Sequence, residues 1–141
     1  MTTRFLIGAL AASFLAAALT PSPALAQKKK LEISQKWSGS VDDDKAAKPE
    51  CIATAKGLEA VWKAWKAPGE VPTVDFTKNI VVAVYSSGSK LDFSSATLDD
   101  AGNLEVVGLG TRDLRPGFRY VLAVISKEGV KTVNKKALPE Q

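Results

Sequence analysis

The chain opens on an unbroken run of apolar and small residues from Phe5 to Leu19, preceded by Arg4 and closed by Thr20-Pro21-Ser22-Pro23. Ala24-Leu25-Ala26 then sets small side chains where a signal peptidase must accept them. This layout predicts a secretory signal peptide over 1–26. The run is shorter than the roughly 20 residues of a spanning helix, so no membrane span is expected in the mature form. After the leader the pattern becomes that of a folded domain. Leu31-Glu32-Ile33-Ser34-Gln35-Lys36-Trp37-Ser38 alternates, with Leu31, Ile33 and Trp37 on one face, and predicts a half-buried strand. Ser40 to Glu50 is polar, holds Asp42-Asp43-Asp44, and predicts a surface loop.

A helical period follows. Thr54 is placed to cap, and Leu58, Val61, Trp62 and Trp65 recur at i, i+3, i+4 and i+7, one stripe of a helix that Pro68-Gly69 ends. The two tryptophans read as core anchors. Beyond Pro72 the period returns to that of strands. Ile80-Val81-Val82-Ala83-Val84-Tyr85 and Phe118 to Ile125 are apolar at almost every position, the mark of strands buried on both faces. Between them lie a strand through Leu91 and Phe93, running on to Ala96 and Leu98, and a returning strand from Leu104 to Leu109. They are joined by Asp99-Asp100-Ala101-Gly102-Asn103, a hairpin loop with a glycine where a positive φ is expected. Val130-Lys131-Thr132-Val133 predicts a last short strand. The expected fold is α+β: one antiparallel sheet of six or seven strands covered by one amphipathic helix, a single domain over 27–141.

Composition narrows the chemistry. The chain carries 19 Lys+Arg against 15 Asp+Glu; losing Arg4 with the leader leaves 18 against 15, a net +3. So mild a balance, in an exported chain, argues against nucleic acid. The dense basic run Lys28-Lys29-Lys30 reads as a solvated tail spanning 27–30. Cys51 is the only cysteine, so no disulfide forms within the chain, and beside Ile52 it reads as a buried small hydrophobe. The absence of histidine removes the commonest general base and metal ligand.

The order of these features resembles the PrcB-like family of exported bacterial proteins, named for a subunit of a surface protease complex. The words that carry the resemblance lie roughly within residues 51–127. They are an apolar link, a capped helix with the Leu58-x-x-x-Trp62 spacing, Val74-Asp75-Phe76, a hydrophobic strand, Gly88 and paired hairpins. Where the family often carries Gly-Gly-Tyr, this chain has Ser89-Lys90-Leu91-Asp92-Phe93 after Gly88. The resemblance implies a non-catalytic exported domain that supports or contacts other proteins, and it transfers no catalytic residue.

No catalytic set assembles from the residues themselves. Asp42-Asp43-Asp44 lacks the alternating spacing of a calcium loop, and turn chemistry explains Asp99, Asp100 and Asn103, so no metal is expected. Asp75, between Val74 and Phe76, reads as a turn brace. A Ser–Lys pair drawn from Ser86, Ser87 or Ser89 with Lys90 would need neighbouring strand residues to share a face. Arg112, Asp113, Arg115 and Arg119 cluster around Pro116-Gly117 beside Phe118 and Tyr120, a composition common in contact surfaces, with an Asp113–arginine bracket as the intramolecular alternative. The reading is an exported, non-catalytic binding or accessory domain that needs no cofactor and contacts a protein or an envelope polymer. Arg112 and Arg115 are its expected binding residues, and the placement is periplasmic, cell-envelope or secreted. The alternative is a small exported hydrolase using carboxylates or a Ser–Lys pair.

Overall fold

The computed structural model describes residues 28–139; the leader reading lies outside them. Along this stretch the chain forms β1 (Lys29–Lys30), β2 (Gln35–Val41), β3 (Cys51–Ile52), α1 (Ala55–Ala64), β4 (Asn79–Ser86), β5 (Leu91–Leu98), β6 (Asn103–Gly110), β7 (Phe118–Ser126), β8 (Thr132–Val133) and β9 (Lys136–Ala137). No helix among the described residues is long and apolar enough to cross a membrane.

The strands make two sheets, which corrects the expectation of one. A central sheet runs β2-β7-β4-β3 and an outer sheet runs β1-β5-β6-β8-β9. All pairings are antiparallel except the short parallel contact of β6 with β8. The physical reason is written in β4 and β7. Strands apolar on both faces need two covers, and one helix supplies only one. Ile80, Val82, Val84, Val121, Ala123 and Ile125 pack against Phe93, Ala96, Leu104 and Val106 of the outer sheet. The alternate residues Val81, Ala83, Phe118, Tyr120, Leu122 and Val124 pack beneath α1 against Leu58, Trp62 and Trp65. The molecule is therefore three layers: outer sheet, central sheet, helix. The strands with alternating sequence, β5 and β6, are those with one wet face, where Asp92, Glu105 and Leu109 point to solvent.

Close approach of the sheets sets residue size at the contact. A Cβ on Gly108 would sit 2.8 Å from the Val84 Cβ. Any side chain there would push β6 off β4.

The helix begins as its sequence predicts. Thr54 is extended (φ −136°, ψ 153°), and its hydroxyl accepts from the Gly57 amide at 3.0 Å. It stops earlier than Pro68-Gly69. Lys66 turns left-handed (φ 52°), its amide bonds the Lys63 carbonyl at 3.1 Å, and the Ala67 amide bonds that of Trp62 at 3.0 Å. That pattern is a Schellman termination with lysine in the position glycine usually takes.

Trp65 is the hub of the helix layer. Its ring lies 4.5 Å from Tyr120, 5.7 Å from Phe118 and 5.9 Å from Tyr85. Its indole N–H donates to the Ala47 carbonyl at 2.9 Å, and that of Trp62 donates to the Gly69 carbonyl at 3.2 Å. Each tryptophan thus fills the core and fastens a loop on either side of the helix.

The N-terminal segment differs from its alternation. Leu31 bonds the Ala96 carbonyl of the outer sheet through its amide, whereas Ser34 bonds Val124 of the central sheet. The chain changes sheets between them, so the period restarts. Leu31 packs between the sheets, Ile33 is exposed, and Trp37 joins the helix-side cluster. The lysine run keeps its side chains in water, but Lys29 and Lys30 pair along Leu98 and Thr97, and Lys28 meets Glu105 at 3.0 Å.

Truncating Trp65 to alanine should cost about 3–5 kcal/mol, since it empties the centre of an aromatic cluster. Lys63→Ala, which removes one exposed helical ion pair with Glu59, should cost less than about 0.5 kcal/mol. Denaturant melts of the two variants check the order; coincident midpoints would refute the hub assignment.

Candidate functional site

The loop between β6 and β7, residues 111–117, holds the arginines singled out from sequence. It is fastened from below to the β4–β5 turn. The Thr111 amide donates to the Lys90 carbonyl at 3.0 Å, and the Lys90 amide donates back to the Thr111 hydroxyl at 3.0 Å. The Arg115 amide donates to the Ser87 carbonyl at 2.9 Å. At Gly88 an added Cβ would lie 2.1 Å from the Thr111 carbonyl oxygen, so turn and loop touch only because this residue is glycine. At the far end Gly117 takes φ 68°, and a Cβ there would lie 1.9 Å from the Val41 carbonyl oxygen.

Asp113 is the internal brace. One carboxylate oxygen accepts from the Ser89 amide at 3.0 Å, and the other accepts from Arg115 Nε at 3.2 Å. The Thr111 hydroxyl, then the Ser89 amide and hydroxyl, hold this carboxyl well below the usual carboxylate range, with Arg115 adding to the effect. The bracket foreseen from sequence is thus present, and Arg115 is its cation.

The arginines and aromatics do not share a surface. Phe118 and Tyr120 are buried in the helix-side cluster, while Arg119 projects to the opposite face of β7 and donates to the Pro116 carbonyl at 3.3 Å. Arg112 and Arg115 are exposed. The apolar partners that sequence reading missed are Leu114, 85% exposed within the loop, and Leu109, 65% exposed at the end of β6. Leu114 stands between Asp113 and Arg115 in a polar loop, so no local hydrophobic period marks it.

The other candidate groups take structural roles. Asp75 accepts from the Thr77 amide at 3.0 Å and from the Thr77 hydroxyl, and its carbonyl accepts from Asn79. It is the turn brace expected, and the Thr77 hydroxyl and amide, in that order, depress its carboxyl. Asp99 accepts from the amides of Ala101 and Asn103 across the hairpin, where Gly102 has φ 85°. Asp43 accepts from the Lys45 amide in an exposed loop. Among the described residues no three His, Cys, Asp or Glu side chains gather as a metal site would need. Ser86 accepts from the Gly88 amide at 3.0 Å, and Ser89 shares a hydrogen bond with Thr111 at 3.3 Å, so both hydroxyls are engaged in the turn. Cys51 pairs with Val82 on the short β3 and is half-buried; burial pushes its thiol up to about 11, away from the reactive thiolate.

The Asp113 bracket has a pH signature. A carboxyl with a depressed folded pKa contributes stability that is present above its unfolded value and lost as pH falls through the folded one. The Asp113 carboxyl should therefore titrate, by carbon NMR, below the ordinary 3.8. Titration at the ordinary value would mean the loop is not braced as described.

Comparison of the chain with protein-family models, with curated proteins and with solved structures returns no match. The likeness to PrcB-like proteins therefore rests on the short words within residues 51–127.

Proposed function

We propose that this chain is an exported, non-catalytic binding or accessory domain that contacts a protein or an envelope polymer through the 111–117 loop. The observation that carries the reading is Leu114. A large apolar side chain 85% exposed is held on a loop braced by Asp113 and by bonds to Ser87, Ser89 and Lys90. Loops that are ordered before binding lose little conformational freedom on docking. An exposed leucine flanked by Arg112 and Arg115 matches the make-up of contact surfaces, with an apolar centre and cationic margins. Covering Leu114 is worth roughly 1.5–3 kcal/mol, and a desolvated arginine contact is worth roughly 2 kcal/mol or more. The signal-peptide layout of 1–26 supplies the export, and the PrcB-like order of features supports an accessory role.

The test is a pull-down from the native envelope with tagged wild type, the Arg112→Ala, Arg115→Ala double variant and Leu114→Asp, after melts confirm that all fold. Both variants should lose the partners that wild type retains. Wild-type yields from both would reduce the loop to an internal bracket.

A further inference from the structure

A second surface lies beside this loop, on the open side of the sandwich. The central sheet ends there in β2, which pairs only with β7 among the described residues. The outer sheet ends in β5, which β1 and the Leu31 amide cover only from Ala96 to Leu98. The stretch from Leu91 toward Ser94 is therefore an uncovered edge facing the uncovered edge of β2. Between them lies a groove of about 860 Å³ lined by both strands, the end of β6 and Arg119.

The sequence of β2 shows that no sheet covers its inner face. Lys36, Ser38 and Ser40 pair across to Ala123, Val121 and Arg119, and Ala123 and Val121 face the core between the sheets. The face of β2 that continues this core is thus polar, while its other face carries Trp37 and Val41 under the helix layer. The groove is positive. Asp92, the one acid in its lining, is paired with Lys36 at 3.0 Å. Lys90 and Arg119 also line it, and among the described residues neither pairs with a carboxylate. Arg119 is half-buried and directs one hydrogen bond, at 3.3 Å, to a backbone carbonyl. A guanidinium has five N–H donors in a fork that suits carboxylates.

We infer that this groove binds an extended acidic peptide. The inference rests on the binding-domain reading above only in that both give the domain a partner. The peptide main chain would add a strand to the uncovered edge of β2, and alternate side chains would point into the groove. Glutamate or aspartate at those positions would meet Arg119 and Lys90, with Ser38 and Ser40 as further donors. A peptide is favoured over an acidic polysaccharide because two strand edges flank the groove, and because its one aromatic, Tyr120, is buried 4.5 Å from Trp65 with no face left for a sugar ring.

The experiment is a nitrogen-15 NMR titration of the exported protein with hexaglutamate, with hexalysine and polygalacturonate as comparison ligands. Hexaglutamate should shift the amides of Ser38 to Val41 and of Lys90 to Asp92. Arg119→Gln should weaken it by on the order of tenfold or more. Ser40→Asp, an exposed change that places a like charge on the edge, should weaken it similarly without disturbing the core. Lys63→Ala, an exposed change on the helix and outside the groove lining, should bind as wild type does. Shifts confined to Lys28–Lys30 or to the 111–117 loop, unchanged affinity in both groove variants, or a preference for polygalacturonate would each overturn the proposal. Failure here leaves the loop pull-down intact, and failure of the pull-down leaves the groove titration intact, so the two readings fall separately.

Discussion

Ile80–Val84 of β4 and Tyr120–Ile125 of β7 have no face that tolerates water. Everything else in the fold answers that constraint. β4 pairs with β7 along its whole length, from Asn79 opposite Ser126 to Ser86 opposite Arg119. The two faces of the pair are then closed by different means, β5 and β6 on one side and α1 with its tryptophans on the other. A domain of this size, held by no disulfide within the chain, depends on such a doubly covered layer for most of its buried apolar surface.

The constraint weakens toward one end of the pair, and there the polar features gather. Past Val84 and before Tyr120 the facing residues become Ser86 and Arg119. Beyond them Gly88, Thr111 and Asp113 hold the turn and the long loop together, and Gly117 lets the loop return tightly past Val41. The loop is therefore an extension of the rigid layer. That is why its exposed leucine and arginines support a contact role better than the same residues on a frayed segment would. The groove beside it arises from the same geometry. The central sheet carries one more strand, β2, than the outer sheet covers along that side.

Much of this was legible in the sequence. The cap at Thr54, the Leu58-Trp62-Trp65 stripe, the hairpin at Gly102, the two fully apolar strands and the turn role of Asp75 all follow from local rules, because each depends on residues within one or two turns of chain. The second sheet does not follow from a count of strands, although Val81 and Val82 side by side imply it: a strand apolar on both faces requires two covers, and a count does not assign them. The hand-over between Leu31 and Ser34 was hidden because alternation continues through a change of sheet partner. Among the site residues, the Asp113 bracket was visible from spacing. Leu114 was not, since a lone leucine in a polar loop carries no period, and the burial of Phe118 and Tyr120 under Trp65 is a long-range contact that no local pattern records.

A doubly covered strand pair carries the 111–117 loop as a braced extension of its own layer. Native-state hydrogen exchange tests both halves at once. The amides of Val81–Val84 and Val121–Ile125 should exchange slowest of all, through global unfolding. Within the loop region the Arg115 and Ser89 amides, bonded to Ser87 and Asp113, should exchange far more slowly than those of Arg112 and Leu114. An Arg115 amide as labile as that of Leu114, or β5 and β6 outlasting β4 and β7, would contradict it.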